Sequence, residues 1–185
     1  MPALLTVALT GAVTFADPSP GPRPAVTAPA APTPAYLLLE SPERRVRAPQ
    51  MRVQSLLEEG LRRSPTFAAL LNALARTDVI VYVESSMTLP KDTQGRLTMV
   101  PLSGPQRYLR IQIRSDLTRF EGIALIAHEM RHALEIGEAA DVRDPRSLIR
   151  LYERIGHSSG GEHAFDTDAA QDTGRQVRRE LSGVI

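Results

Sequence analysis

The amino-acid sequence predicts an α+β domain, in which helices flank one small β-sheet. Apolar residues recur at helical spacing in residues 51–63 and again in residues 64–77. Between residues 78 and 114, β-branched residues and a strict alternation of apolar and polar residues indicate strands. Helical spacing returns at residues 117–138. The order of helices, strands and helices is typical of an α+β domain.

The predicted helices have recognisable ends. Ser64 fits the N-cap of the second helix, because its side chain can accept a backbone hydrogen bond, and Pro65 suits the first helical position. PRSLIRLYERIG, residues 145–156, predicts a helix that ends at a glycine. DTDAAQDTGRQVRREL, residues 166–181, predicts the last helix.

Three segments are predicted strands. DVIVYVESS, residues 78–86, is rich in β-branched residues, and YLRIQIR, residues 108–114, alternates as a strand with one solvent-exposed face does. RLTMVPL, residues 96–102, is a weaker strand, in which Pro101 indicates a sheet edge or a strand end.

The N-terminal 35 residues differ in composition from the rest of the chain. Residues 3–16 are uncharged and mostly apolar, a length that suits the core of a signal peptide and is too short to span a bilayer. Residues 17–35 contain seven prolines and predict a semi-extended linker. We therefore expect a signal peptide at 1–16, a Pro/Ala-rich linker at 17–35 and a domain at 36–185. The protein would then be exported, to the periplasm or outside the cell.

Charge and cysteine content exclude several classes of function. With 22 basic and 21 acidic residues, nothing favours binding to nucleic acid or insertion of the mature protein into a membrane. The absence of cysteine excludes thiolate nucleophiles and cysteine-ligated zinc. The sequence does not predict an oligomeric state.

The sequence HEMRH, residues 128–132, is the feature that suggests chemistry. Positions four apart lie on one face of a helix, so His128 and His132 can bind one metal ion. Glu129 lies beside that face and can act as a general base toward a water molecule that zinc activates. The alternative is an amphipathic helix whose histidines only pack or titrate. Apolar residues on both sides of the motif favour a buried helix, and buried imidazoles need partners.

HEMRH, preceded by the strand YLRIQIR, resembles the zincin metallopeptidases. IAHEMRHALEIGEA followed by FDTDAAQDTGRQVRREL resembles small exported bacterial HExxH proteins without an assigned substrate. The resemblance implies a zincin-like domain, with a short, mostly antiparallel sheet of about three strands packed on the HExxH helix. It also implies a zinc cofactor and an edge strand that aligns a peptide substrate. Arg131 departs from the pattern, because this position is usually uncharged in such peptidases.

The third metal ligand has several candidates. Glu135 shares the ligand face, but three ligands from one helix would spread over about 10 Å of rise, so we expect Glu135 to hydrogen-bond a histidine or an arginine instead. Glu138 stands where a metzincin would need histidine, and Glu135 where it would need glycine. Glu153, Asp166 and Asp168 remain as ligands from later in the chain. The resembling proteins carry an acidic residue at the position of Asp166, which makes it the first choice. Both aspartates could instead cap the last helix.

These observations predict a zinc-dependent hydrolase, with His128, His132 and Asp166 as metal ligands and Glu129 as the general base. Tyr152, His157 or His163 could stabilise an oxyanion. The substrate would be a peptide or protein, including a peptidoglycan peptide. The rival hypothesis is a non-catalytic envelope protein whose histidine helix binds metal structurally or only packs.

Overall fold

The computed structural model describes residues 45–101, 104–159 and 164–183. The predicted signal peptide, the linker and residues 36–44 lie outside the described residues. The described helices are α1 (Met51–Arg63), α2 (Pro65–Leu74), α3 (Arg119–Glu138), α4 (Pro145–Ile155) and α5 (Asp168–Ser182). The described strands are β1 (Val46–Arg47), β2 (Val79–Ser86), β3 (Gly95–Val100), β4 (Arg107–Arg114), β5 (His157–Ser158) and β6 (Phe165–Asp166). The α+β class is confirmed.

The main sheet has the strand order β1-β2-β4-β3. β1 pairs with β2 and β2 pairs with β4 in parallel, whereas β3 pairs with β4 antiparallel. The expectation of a mostly antiparallel sheet of about three strands is therefore wrong, since the sheet has four strands and is mixed. The two most apolar strands, β2 and β4, pair at the centre, and β3, which lies between them in the sequence, occupies an edge. β5 and β6 form a separate antiparallel pair.

The predicted start of the second helix is confirmed, and the last helix starts two residues later than predicted. The Ser64 side chain accepts a hydrogen bond from the backbone N–H of Phe67, as expected of an N-cap. Thr118 caps α3 in a reciprocal arrangement with Glu121. The last helix starts at Asp168 rather than at residue 166, because Thr167 is its N-cap.

α3 packs between the main sheet and α5. Residues Val79 to Val83 and Leu109 to Ile113 line the core with their odd-numbered side chains, all of which are at most 1% exposed. On the other side of α3, Gly174 of α5 comes so close that an added Cβ would lie 3.3 Å from the carbonyl oxygen of Ala124. The central helix is thus enclosed on both sides. Within the described ranges, no helix has the length and apolarity that crossing a bilayer requires.

Candidate metal centre

His128 and His132 lie on the enclosed helix α3, one turn apart. Both side chains are fully buried. Their ring centroids are 4.9 Å apart, and the ring planes meet at 84°. The four-residue spacing therefore brings two imidazoles to one place inside the protein.

Asp166 completes a group of three ligand-type side chains. Its Oδ1 lies 3.4 Å from Nε2 of His128 and 3.5 Å from Nε2 of His132. One ligand atom from each residue falls within 4.8 Å of the other two, and all three residues are buried. This group could hold a metal ion. It contains the three residues that the sequence predicted as ligands.

Asp166 is held by its own neighbours in the chain. It lies in β6, opposite His157 in β5. The backbone N–H of Thr167 donates to its Oδ1 over 2.7 Å, and Nε2 of Gln171 donates to its Oδ2 over 2.9 Å. Gly156 allows the close pairing of these strands, because a Cβ there would lie 2.7 Å from the carbonyl oxygen of Asp166. Asp166 does not cap α5.

Glu129 is fully buried, and neither of its carboxylate oxygens has a hydrogen-bond partner. Nε2 of His128 and Nε2 of His132 are buried without a partner as well. Such atoms are uncommon in folded proteins, since each loses the hydrogen bonds that water would provide. Here they belong to three residues within one five-residue stretch of α3, which indicates a site built for a group that the side chains of the protein do not supply.

Glu135 makes the hydrogen bond to a histidine that the sequence predicted. Its Oε2 lies 3.0 Å from Nδ1 of His132, and its Oε1 accepts a hydrogen bond of 2.8 Å from the hydroxyl of Thr167. Arg131 is also near, with Nε 3.6 Å from the same Oε1. Glu135 therefore contacts the candidate ligand His132 through Nδ1 and not through Nε2, the atom that lies near Asp166.

The pKa values of Glu129 and Asp166, two carboxyl groups of the site, are shifted in opposite directions. Burial raises the pKa of Glu129 to about 8. Burial also acts to raise the pKa of Asp166, but the interaction with His132, the charge of His128 and the hydrogen bond from Gln171 outweigh it and lower the pKa to about 2. Asp166 is therefore ionised at neutral pH, while Glu129 is poised to accept or release a proton.

The pKa values of His128 and His132 are also shifted in opposite directions. Burial and the charge of His132 lower the pKa of His128 to about 4. For His132, burial lowers the pKa, but Asp166 and Glu135 outweigh it and raise the pKa to about 9. A neutral His128 has a lone pair free to bind a cation, whereas His132 must give up a proton to do so.

The other candidates do not join this group. Glu153, Asp168 and Glu138 are exposed. His157 is exposed in β5, and His163 lies outside the described residues. The Tyr152 hydroxyl donates to the carbonyl oxygen of His132 over 3.1 Å, so it is directed to the helix backbone.

Sequence reasoning did not identify three residues that shape the site. Thr167 and Gln171 hydrogen-bond Asp166, and Gly95 of β3 leaves room for Glu129, since an added Cβ would lie 2.8 Å from its Oε1. Only Thr167 had a local signal, because threonine before an acidic first turn is typical of an N-cap. The roles of Gly95 and Gln171 depend on contacts that appear only after folding.

A cavity of about 870 Å³ lies beside the outer side of Glu135. Arg131, Glu135 and Thr167 line it together with exposed residues of α3, α4 and α5. None of the three candidate ligands lines this cavity. The cavity therefore adjoins the hydrogen bond between Glu135 and Thr167 rather than the ligand atoms.

Comparison of the chain with protein-family models, with curated proteins and with solved structures finds no significant match.

Proposed function

We propose that this protein is a zinc-dependent hydrolase of the metallopeptidase type. In this proposal His128, His132 and Asp166 hold the zinc ion and Glu129 is the general base. The observation that carries it is the buried carboxylate of Glu129, which has no protein partner and lies next to a group able to hold a metal ion. A buried carboxyl without partners costs stability, so a functional use is the best account of it.

The two distances from Asp166 to the histidines are compatible with zinc. Four ligands at bond lengths of about 2.0–2.1 Å in a tetrahedron have their atoms roughly 3.3–3.4 Å apart. The separations of Asp166 Oδ1 from the two Nε2 atoms, 3.4 and 3.5 Å, are close to that edge length. Two imidazoles and one carboxylate are a donor set that zinc accepts, and they leave a fourth position open, as catalytic sites require.

The chemistry would be divided among the residues. Zinc, when bound, polarises a carbonyl group and lowers the pKa of a water molecule. Glu129 would take the proton from the attacking water and later deliver it to the leaving amine. Its pKa of about 8 suits both steps near neutral pH, because the carboxyl group can exchange a proton without a large free-energy cost.

Substrate and location are part of the same proposal. The resemblance of HEMRH to zincins favours a peptide bond as the target. The apolar N-terminus and the proline-rich segment favour export, and a peptide or a peptidoglycan crosslink would suit an envelope protein.

A second candidate function is a structural metal centre in a non-catalytic envelope protein. The observation in its favour is that the side chains of His128, Glu129 and His132 are fully buried. Structural zinc sites are closed, whereas catalytic sites must admit substrate.

Two measurements decide between these functions. Zinc content of the purified protein, compared with that of His128→Ala, tests the metal; we expect one equivalent in the wild type and a large loss in the variant. Hydrolysis of a peptide library by Glu129→Gln tests the chemistry, and we expect a loss of roughly 10²–10⁴-fold with zinc retained. Glu153→Gln, which alters an exposed carboxylate on α4, is the control and should match the wild type. A wild type without zinc would contradict both functions, and a zinc protein with equal, negligible activity in the wild type and in Glu129→Gln supports the structural centre.

A further inference from the structure

Thr167 is the residue at which the two halves of the candidate metal centre meet. It stands between β6 and α5 and is only 3% exposed. Its backbone N–H donates to Asp166 Oδ1 over 2.7 Å, and its hydroxyl donates to Glu135 Oε1 over 2.8 Å. Asp166 is a candidate ligand, and Glu135 holds a second one. One threonine thus contacts one candidate ligand, Asp166, and the residue that hydrogen-bonds another, Glu135.

The contact with Glu135 continues to His132. Glu135 Oε2 lies 3.0 Å from Nδ1 of that histidine. When the ionised carboxylate accepts a hydrogen bond from Nδ1–H, the neutral imidazole presents its Nε2 lone pair toward Asp166 and His128. The hydroxyl of Thr167 donates to the other oxygen of Glu135, so both oxygens of this carboxylate have a partner when one of them contacts the ring.

We propose that Thr167 is a positioning residue of the metal centre, which acts through Glu135 on His132 and through its backbone on Asp166. This inference rests on the metal-binding half of the proposed function. It predicts that the hydroxyl of Thr167 increases metal affinity although it does not touch the metal. Loss of such an outer partner typically weakens metal binding by about 10- to 100-fold.

The competing account is that Thr167 only caps α5. Its Oγ1 does accept a hydrogen bond from the backbone N–H of Ala170 over 3.1 Å. A cap, however, needs only this acceptor, and the donated hydrogen bond to Glu135 serves no helix end. Thr118 provides the comparison, because it is a threonine N-cap at the start of α3, ten residues before His128.

The experiment measures zinc affinity by competition with a chromogenic chelator. Thr167→Val keeps the shape and removes the hydroxyl, and we expect affinity to fall by about 10- to 100-fold. Thr167→Ser keeps the hydroxyl and should stay within about 3-fold of the wild type, since the hydrogen bond survives. Thr118→Val, the matched control, should lower thermal stability and leave affinity unchanged. Absorption of the cobalt-substituted protein gives a second readout, and its bands should shift in Thr167→Val only.

A double-mutant cycle with Glu135→Gln tests the route of the effect. If Thr167 acts through Glu135, the double variant binds zinc about as weakly as the weaker single variant. Should Thr167→Val fail to fold, Thr167→Gly replaces it, because glycine is tolerated at an N-cap.

Three results would overturn the proposal. They are wild-type affinity in Thr167→Val, an equal loss in Thr118→Val, and independent, additive losses for Thr167 and Glu135. A wild type that binds no zinc overturns both this inference and the proposed function. Zinc binding that depends on Thr167, together with unchanged hydrolysis in Glu129→Gln, overturns only the catalytic role.

Discussion

Gly95 and Gly156 touch the candidate metal centre at points where a larger residue would not fit. A Cβ on Gly95 would lie 2.8 Å from Oε1 of Glu129, and one on Gly156 would lie 2.7 Å from the carbonyl oxygen of Asp166. Real Cβ atoms do not approach other atoms so closely, and the neighbour must move. At Gly156 the neighbour is backbone, whereas at Gly95 it is the end of a side chain. The two glycines therefore predict different effects.

Gly95→Ala should displace the carboxylate of Glu129 without removing a metal ligand. We expect zinc content to stay at the wild-type level and peptide hydrolysis to fall by at least about 10-fold, because a general base must lie within hydrogen-bond reach of its proton. Metal analysis and initial rates on the same preparation measure the two effects. Thr98→Ala, a substitution at a partly exposed position of the same strand, is the control. Loss of zinc together with activity would contradict this prediction.

The residues that the sequence predicted at this site are those with a local or family-based signal. His128, Glu129 and His132 follow from helical spacing, and Asp166 followed from the resemblance to HExxH proteins. Gly95 and Gln171 could not be predicted, because the contact of Gly95 with Glu129 joins distant parts of the sequence and no local pattern marks the hydrogen bond from Gln171 to Asp166. A site residue could thus be predicted where a local pattern or a family resemblance marks it, and not where its role depends on a contact that forms only on folding.

Arg107 connects two elements, β4 and the C-terminal end of α3. Its Nη1 donates to the carbonyl oxygens of Ile136, Ala139 and Val142 over 2.6, 2.7 and 3.1 Å. The last turn of α3 has no basic residue of its own, so this arginine satisfies carbonyl groups that a helix end leaves free. Asp78 balances its charge, with Nε of Arg107 3.0 Å from Oδ1 of the carboxylate.

Arg107→Met should be strongly destabilising. It keeps much of the side-chain volume but leaves several buried carbonyl oxygens and the Asp78 carboxylate without a donor, for which we expect a loss of about 3 kcal/mol in the free energy of unfolding. Urea denaturation followed by circular dichroism measures it. Arg110→Met on the same strand is the matched control, since Arg110 is 46% exposed in its ion pair with Glu84 and should cost less than about 1 kcal/mol. Similar losses in the two variants would contradict a special role for Arg107.

The Asp78–Arg107 pair should also give the stability a pH dependence. Burial acts to raise the pKa of Asp78, but hydrogen bonding and charge from Arg107 and charge from Arg143 lower it below its usual value. A lowered pKa in the folded state means that the carboxylate stabilises the protein fully above the unfolded-state pKa of about 3.9. That contribution is lost as the pH falls through the folded-state value.

Asp78→Asn should therefore be less stable than the wild type at pH 7, by about 1 kcal/mol once partial exposure is allowed for. The difference should shrink below about pH 4 and vanish once the pH is below the folded-state pKa, where the carboxyl group is protonated in both states. Denaturation curves of both proteins at matched pH values measure it. A difference that stays constant from pH 7 to pH 2 would show that Asp78 contributes by packing rather than by charge.

At the scale of elements, the sequence identified the five helices and the three longer strands of the described residues, because each has a periodic pattern over several residues. It did not identify β1, β5 and β6, which have two residues each and therefore no measurable period. It also gave the wrong strand directions. The alternation in β2 and β4 shows that they are strands, but whether two strands run parallel depends on the path of the chain between them.

For the molecule as a whole, the candidate metal centre lies between units that are separate in sequence. His128 and His132 belong to α3, which packs on the sheet, whereas Asp166 belongs to β6 at the entrance to α5. Thr167 and Glu135 join the same two units by a hydrogen bond. A metal ion bound by all three ligands would cross-link the central helix to the C-terminal part of the fold, and it would stabilise the folded state alone.

Zinc should therefore raise the melting temperature of the whole domain. At a free zinc concentration of 1,000 times Kd the gain is about 4 kcal/mol, which corresponds to roughly 10 °C for a domain of this size. Differential scanning calorimetry of one preparation, first with a chelator and then with buffered zinc, measures the shift. Asp166→Asn should abolish most of it, because an amide is a poor zinc ligand, and Asp168→Asn should leave it intact, since Asp168 is exposed and outside the ligand group. Equal shifts in the two variants would place the zinc elsewhere and would exclude Asp166 as the third ligand.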